Sequence, residues 1–258
     1  MPKQSTLILI VVLLVSGILL TIPLLPKKFK TEILVSAAIS LKDAITQIGN
    51  DFEKKHPEIQ VYFNFASSGQ LRIQIENGAP VDIFISASPM EMELLEKKGC
   101  ILASSKVDLV KNRLVFIKNK NLQFKITKLE ELIKFYDLKI AIGNPATVPA
   151  GRYAQQALKF YQIWEKIENR LILGENVRQV LDYVARGEVD AGFVYVTDTI
   201  KESQIEILLS IPEEAHKTIV YPMAIIKTSR FMSVAQDFVL FAADEKKFVW
   251  QQFGFQCD

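Results

Sequence analysis

Short runs of β-branched and aromatic residues alternate along the chain with longer runs whose apolar positions recur at helical spacing. After the strand-like residues 33–35, for example, Leu41, Ile45, Ile48 and Phe52 fall on one face of a helix. This alternation is typical of an α/β protein with largely parallel sheets. The predicted strands are residues 33–36, 61–65, 82–86, 114–118, 139–143, 192–195, 206–209 and 220–226. The predicted helices are residues 41–55, 70–77, 90–98, 128–134, 152–161, 164–169, 177–186, 229–243 and 246–253.

Two extended runs, at residues 108–118 and 218–227, bracket a middle segment that has its own strands and helices. Two such crossings would form a hinge between two lobes, with a ligand in the cleft between them. We therefore expect one lobe at residues 31–110 and 224–258 and a second lobe at residues 111–223.

The N-terminal residues 7–25 are uncharged and almost wholly apolar, and as a helix they are long enough to span a membrane. The apolar core of a signal peptide is usually shorter and ends at a small-residue cleavage site. Neither such a site nor a lipid-anchor cysteine follows here. Residues 1–30 are therefore predicted to be an uncleaved membrane anchor with a tether or, as the second alternative, a cleaved signal peptide. Both alternatives place the rest of the chain outside the cytoplasm.

Composition narrows the class of function. The 258 residues are 49% apolar and carry a net charge of +2, which argues against a nucleic-acid partner. Cys100 and Cys257 are far apart and lack metal-ligand spacing, and the sequence leaves open whether they form a disulfide. The two histidines, His56 and His216, lie in polar stretches, and the chain has no nucleophile elbow, Walker loop or zinc motif. A serine-dependent enzyme is therefore the less favoured alternative.

Small-residue turns carry the candidate chemistry, because each ends a strand-like run and opens a helix-like run. Ser40 is predicted to cap the first helix, with Asp43 three residues on, and Ser68 opens the second. Residues 148–151 and Asn176 open two later helices, and Tyr195 ends a strand. A helix start presents unpaired N–H groups and a partial positive charge. Taken together, these turns predict a site that holds an oxyanion with neutral donors.

The ordered set of motifs resembles the periplasmic molybdate-binding proteins of ABC transporters, which have the type II solute-binding fold. The matching segments are AAISL at 37–41, FASSG at 65–69, QIENGAPVDIFISA at 74–87, VPAGRYA at 148–154, ENVR at 175–178 and GFVY at 192–195 with Asp198. Three departures are Ile39 in place of a smaller residue, Gly69 in place of a third serine, and the missing lipid-anchor cysteine.

The resemblance implies a two-lobed receptor that captures molybdate or tungstate in the cleft, uses no cofactor and delivers the anion to the membrane permease of an ABC importer. It implies that the anion is held by the hydroxyls of two serines and a tyrosine and by two backbone N–H groups. These ligands are Ser40, Ser68, Ala150, Val177 and Tyr195. We expect a monomer. Receptors for another tetrahedral oxyanion, such as sulfate or phosphate, remain the alternative within this class.

Overall fold

Two five-stranded sheets organise the computed structural model, which describes residues 31–257. The strands are β1 (Thr31–Ala38), β2 (Ile59–Ala66), β3 (Ile83–Ile85), β4 (Val107–Lys111), β5 (Leu114–Asn119), β6 (Ile140–Gly143), β7 (Leu171–Gly174), β8 (Ala191–Tyr195), β9 (Ile205–Ser210) and β10 (Val220–Ile225). The helices are α1 (Lys42–Lys55), α2 (Ser68–Glu76), α3 (Pro89–Lys97), α4 (Pro149–Phe160), α5 (Trp164–Ile167), α6 (Val177–Ala185), α7 (Val196–Thr199), α8 (Met232–Leu240) and α9 (Lys247–Gln252).

The first sheet has the strand order β2-β1-β3-β10-β4, and the second has the order β7-β6-β8-β5-β9. We call the parts of the chain built on these sheets the first lobe and the second lobe. The chain leaves the first sheet after β4 and returns to it at β10, so two crossings join the lobes. β10 lies wholly in the first sheet, and the lobe boundaries at 110/111 and 223/224 stay a prediction.

The sheets are mixed rather than largely parallel. In the first sheet β1 pairs in parallel with β2 and β3, whereas β10 is antiparallel to both β3 and β4. The second sheet repeats this arrangement, because β6 is parallel to β7 and β8 while β5 is antiparallel to β8 and β9. The antiparallel strands β4, β5 and β10 flank the crossings. An apolar run predicts a strand but not its direction.

Burial follows the predicted helix faces and strand runs. All six residues of β5 are buried, which is typical of a strand covered on both sides rather than an alternating one. On α1, Ala44, Ile45, Ile48 and Phe52 are buried at the predicted spacing. Short β7 was not predicted as a strand, because it is a partly exposed edge strand of only four residues.

The two cysteine thiols make separate local contacts, each to a backbone carbonyl. Cys100 Sγ lies 3.9 Å from the Lys98 oxygen, and Cys257 Sγ lies 3.7 Å from the Lys247 oxygen. Within residues 31–257, no helix is long and apolar enough to cross a membrane. The predicted anchor or signal peptide at residues 1–30 lies outside the described residues.

Candidate functional site

All five residues predicted to bind the anion line one small cavity between the lobes. The cavity has about 210 Å³ of space free of protein atoms. Its wall is formed by the segments that follow β1, β2 and β3 in the first lobe and by the starts of α4 and α6 and the end of β8 in the second. The lining residues are Ala38, Ile39, Ser40, Ala66, Ser67, Ser68, Ala87, Val148, Pro149, Ala150, Val177 and Tyr195.

Ser40 reaches the cavity from a single 3₁₀ turn, Ile39–Leu41, which connects β1 to α1. The prediction that Ser40 caps α1 is wrong, because the 3₁₀ turn delays the helix to Lys42 and Ser40 makes no capping hydrogen bond. Its hydroxyl oxygen instead lies 3.1 Å from the phenol oxygen of Tyr221. Ser40 is therefore held from behind by a buried side chain of β10.

Ser68 is the first residue of α2, and its neighbour Ser67 caps that helix. The Ser67 hydroxyl donates to Gln70 Oε1 over 2.8 Å, and the same oxygen accepts from the Ser67 backbone N–H. The Ser68 hydroxyl oxygen accepts a 2.9 Å hydrogen bond from the backbone N–H of Ala87. That bond uses one of the two lone pairs of the fully buried Ser68 oxygen and leaves the hydroxyl hydrogen available to a ligand.

The start of α4 packs against the end of β6 more closely than any side chain would allow. A Cβ atom on Gly151 would lie 1.7 Å from the Gly143 oxygen, and one on Gly143 would lie 2.3 Å from Val148 Cγ1. This contact holds the first turn of α4 beside the cavity. Ala150 lies in that turn, where backbone N–H groups have no acceptor within the helix.

The second lobe contributes the start of α6 and the end of β8. Asn176 caps α6 as predicted, since its Oδ1 accepts from the Gln179 N–H over 3.0 Å, and Val177 is the first helical residue. Tyr195 is only 1% exposed, and its hydroxyl has no hydrogen-bond partner among the described residues. A buried phenol without a partner costs free energy, so its hydroxyl indicates a ligand position.

No residue that lines the cavity carries a formal charge, as far as the described part of the chain extends. Burial raises the pKa of Tyr195 well above its usual value, so the phenol stays protonated and remains a donor. Asp198, which accepts from the Tyr195 backbone N–H, lies behind this strand end. Its burial raises the pKa to about 6 against the opposing effect of Arg178. The cavity wall itself therefore offers hydroxyl and N–H donors rather than ionic groups.

Contacts across the cleft hold the two lobes together around this cavity. Arg178 of α6 lies 2.9 Å from Asp43 of α1 across the cleft, and its Nε lies 3.0 Å from Asp198 of its own lobe. Arg152 of α4 pairs with the buried Glu91 of α3. These two arginines therefore bridge the lobes through ion pairs. The structure thus presents the cleft in a closed arrangement.

Gly69 permits a close backbone approach across the cleft. Its N–H donates to the Thr147 oxygen over 2.9 Å, and a Cβ atom at this position would lie 2.6 Å from the same oxygen. In the sequence, Gly69 reads only as a missing hydroxyl. The structure adds that the absent side chain makes room for the opposite lobe.

A larger surface cleft, of about 1190 Å³, lies elsewhere on the first lobe. It is lined by residues such as Tyr62, Asp82 and Phe231 and includes none of the predicted ligands. No group of acidic, histidine or cysteine side chains in residues 31–257 is arranged to hold a metal ion. The small cavity between the lobes is therefore the candidate site.

Two α/β lobes, joined by two crossings and enclosing a small donor-lined cavity, are the architecture of a solute-binding protein. The chain belongs to the family of bacterial extracellular solute-binding proteins, whose profile matches residues 33–256. This membership confirms the predicted two-lobed fold and the prediction that the protein is a receptor of an ABC transporter without catalytic activity.

Three similar proteins illustrate the membership. The molybdate-binding protein ModA of Haemophilus influenzae is 39% identical over 199 residues, which cover 76% of this chain and 78% of that protein. The putative ABC transporter substrate-binding lipoprotein YvgL of Bacillus subtilis is 35% identical over 89% of this chain and 88% of its own length. The substrate-binding domain of a putative molybdenum ABC transporter from Clostridium difficile matches in structure with a TM-score of 0.68. It is 32% identical, with 88% of this chain and 99% of that chain covered.

Proposed function

We propose that this chain is the molybdate receptor of an ABC importer, with tungstate as an equivalent ligand. The observation that carries the proposal is the buried Tyr195 hydroxyl, which has no partner among the described residues and lies in the wall of a cavity with uncharged lining. The proposed ligands are the hydroxyls of Ser40, Ser68 and Tyr195 and the backbone N–H groups of Ala150 and Val177. The name of the Haemophilus influenzae relative supports the choice of anion.

The type of donor supports a fully ionised dianion. Helix starts and hydroxyls stabilise a buried anion through oriented dipoles and charge-assisted hydrogen bonds. Backbone N–H groups cannot accept a hydrogen bond from the ligand. Hydrogen phosphate would therefore place its own O–H against donors, and an unpaired buried polar group costs about 1–3 kcal/mol. Sulfate matches molybdate in charge, but it is smaller and would lose contact with some of the rigid helix starts.

The same proposal includes the partners. The receptor delivers its anion to the membrane permease of an importer, acts as a monomer and is anchored through residues 7–25 unless these are removed with a signal peptide. A receptor for sulfate or phosphate is the alternative that the experiments below distinguish.

Titration calorimetry with a panel of oxyanions tests the choice of ligand. We expect one molybdate or tungstate per chain, bound with similar affinity, much weaker sulfate binding and the weakest binding for phosphate. Sulfate that competes equally with molybdate would contradict the size argument. Tight phosphate binding would require an acceptor in the site, such as Asp198, and would reject the proposed donor set.

Removal of single hydroxyls tests the proposed ligands. Ser68→Ala and Tyr195→Phe should each weaken molybdate binding by roughly tenfold to a hundredfold, because a hydrogen bond to a charged group contributes about 1.5–3 kcal/mol. Ser105→Ala and Tyr153→Phe serve as matched controls, since both residues are buried and neither lines the cavity. The controls should bind like the unmodified chain. Unchanged affinity in both site variants would show that the ligand set is wrong.

A further inference from the structure

A chain of buried polar side chains lies behind Ser40 and outside the lining of the cavity. The phenol of Tyr221, in β10, lies 3.1 Å from the Ser40 hydroxyl oxygen. Asn112, at the crossing between β4 and β5, places its Nδ2 3.1 Å from the same phenol oxygen and 2.9 Å from the hydroxyl oxygen of Thr197. Tyr221 is fully buried and Asn112 is 6% exposed, so neither side chain relies on bulk water for its hydrogen bonds.

The orientation of the Asn112 amide follows from a backbone group. Asn112 Oδ1 accepts a 2.9 Å hydrogen bond from the N–H of Arg113, which can only donate. The opposite amide orientation would place an NH₂ group against that N–H. The NH₂ group of Asn112 therefore faces Tyr221, and the phenol oxygen accepts a hydrogen bond from it.

The direction of the next bond follows in turn. The Tyr221 phenol oxygen accepts from Asn112, and its hydroxyl hydrogen still needs an acceptor. Among the described residues, Ser40 is the other hydrogen-bond partner of this phenol. A hydrogen bond from Tyr221 to Ser40 satisfies that hydrogen, whereas the reverse direction would leave it buried and unpaired. The Ser40 oxygen thus accepts from behind, and its own hydrogen points away from Tyr221.

We propose that Asn112 and Tyr221 are positioning residues that make Ser40 a hydrogen-bond donor to the anion, and that they thereby select against oxyanions that carry a proton. This inference rests on the proposed function, because it assigns a direction to one of the proposed ligands. Ser68 is oriented in the same sense, since its oxygen accepts from the Ala87 N–H and its hydrogen remains for the anion. Both serine hydroxyls then present hydrogens to the anion, and each already uses one of its two lone pairs, which leaves fewer acceptors for the O–H of hydrogen phosphate.

Two substitutions change the direction of this chain in different ways. Tyr221→Phe keeps the ring, which packs edge-on against Tyr195 at 5.9 Å, and removes the hydroxyl that donates to Ser40 and accepts from Asn112. Asn112→Asp keeps an acceptor for the Arg113 N–H but replaces the amide donor with an acceptor. Tyr221 then donates to the carboxylate, so the Ser40 hydrogen turns toward Tyr221 and its lone pair faces the anion.

The experiment is titration calorimetry of the full chain in detergent with molybdate, sulfate and hydrogen phosphate at mildly alkaline pH. All three ligands are then dianions, and the sulfate value measures the effect of the added carboxylate charge alone. In Asn112→Asp we expect the preference for molybdate over hydrogen phosphate to fall by about tenfold or more, with the preference for molybdate over sulfate little changed. Tyr221→Phe should shift the phosphate preference in the same direction by a smaller factor.

A double-mutant cycle distinguishes positioning from a general structural role. If Tyr221 acts through Ser40, Tyr221→Phe should not change the selectivity further in a chain that already carries Ser40→Ala. Circular dichroism checks that each variant folds. If Asn112→Asp does not fold, the double-mutant cycle with Tyr221→Phe tests the inference without it. Equal selectivity in the variants and the unmodified chain would overturn this inference. An unmodified chain that does not bind molybdate would instead reject the proposed function.

Discussion

Molybdate at about 1 mM should raise the free energy of unfolding of this protein by about 4 kcal/mol or more, provided that the dissociation constant is micromolar or lower. The physical reason is linkage, because the proposed site exists only where the cleft brings donors of both lobes together. Ser40 and Ser68 come from the first lobe, and Ala150, Val177 and Tyr195 come from the second. Unfolding separates these donors and releases the anion.

Denaturant unfolding followed by circular dichroism measures this effect, with and without the anion. Added salt also screens the ion pairs across the cleft and so changes stability by itself. Sodium chloride at matched ionic strength controls for this effect. In Tyr195→Phe the stabilisation by molybdate should shrink by about 1.5–3 kcal/mol. A midpoint that neither molybdate nor tungstate moves would contradict the proposed function.

Much of the site was predictable from the sequence because its parts are local. A helix start is recognised within a few residues, and the prediction for Asn176 as the cap of α6 is confirmed. The structure also brings the five predicted ligands, which span residues 40 to 195, to one cavity. Their function as ligands stays a prediction. Their positions at the ends of strands and the starts of helices could each be predicted from a short stretch of sequence.

The rest depended on distances that a linear pattern does not contain. Tyr221 and Asn112 lie 109 positions apart, and Tyr221 meets both Asn112 and Ser40 only because β10 returns to the first sheet. The sequence wrongly predicts Ser40 as the cap of α1, because a 3₁₀ turn and the start of an α-helix contain the same small residues. Gly69 shows the same limit, since its contact is with Thr147 of the other lobe.

The start of α4 offers the second large effect. Gly151→Ala should lower the free energy of unfolding by about 3 kcal/mol or more, because the added methyl group has no room and the contact is with backbone. The Cβ position lies 1.7 Å from the Gly143 oxygen and 2.4 Å from the Gly143 carbonyl carbon. Neither atom can move without shifting the end of β6, where Gly143 pairs with Gly174 of β7.

Relief of that clash would require α4 to move away from β6, and the Ala150 N–H would move with it. We therefore expect Gly151→Ala to weaken molybdate binding by about a hundredfold as well, measured by calorimetry at a temperature where the variant remains folded. Gly78→Ala is the matched control, because a Cβ there meets nothing within 4 Å and the φ of +84° is its source of strain. The control should cost about 1 kcal/mol of stability and leave molybdate affinity unchanged. A Gly151→Ala variant with the stability and affinity of the unmodified chain would show that the first turn of α4 does not depend on this contact, and the proposed ligand role of the Ala150 N–H would lose its structural basis.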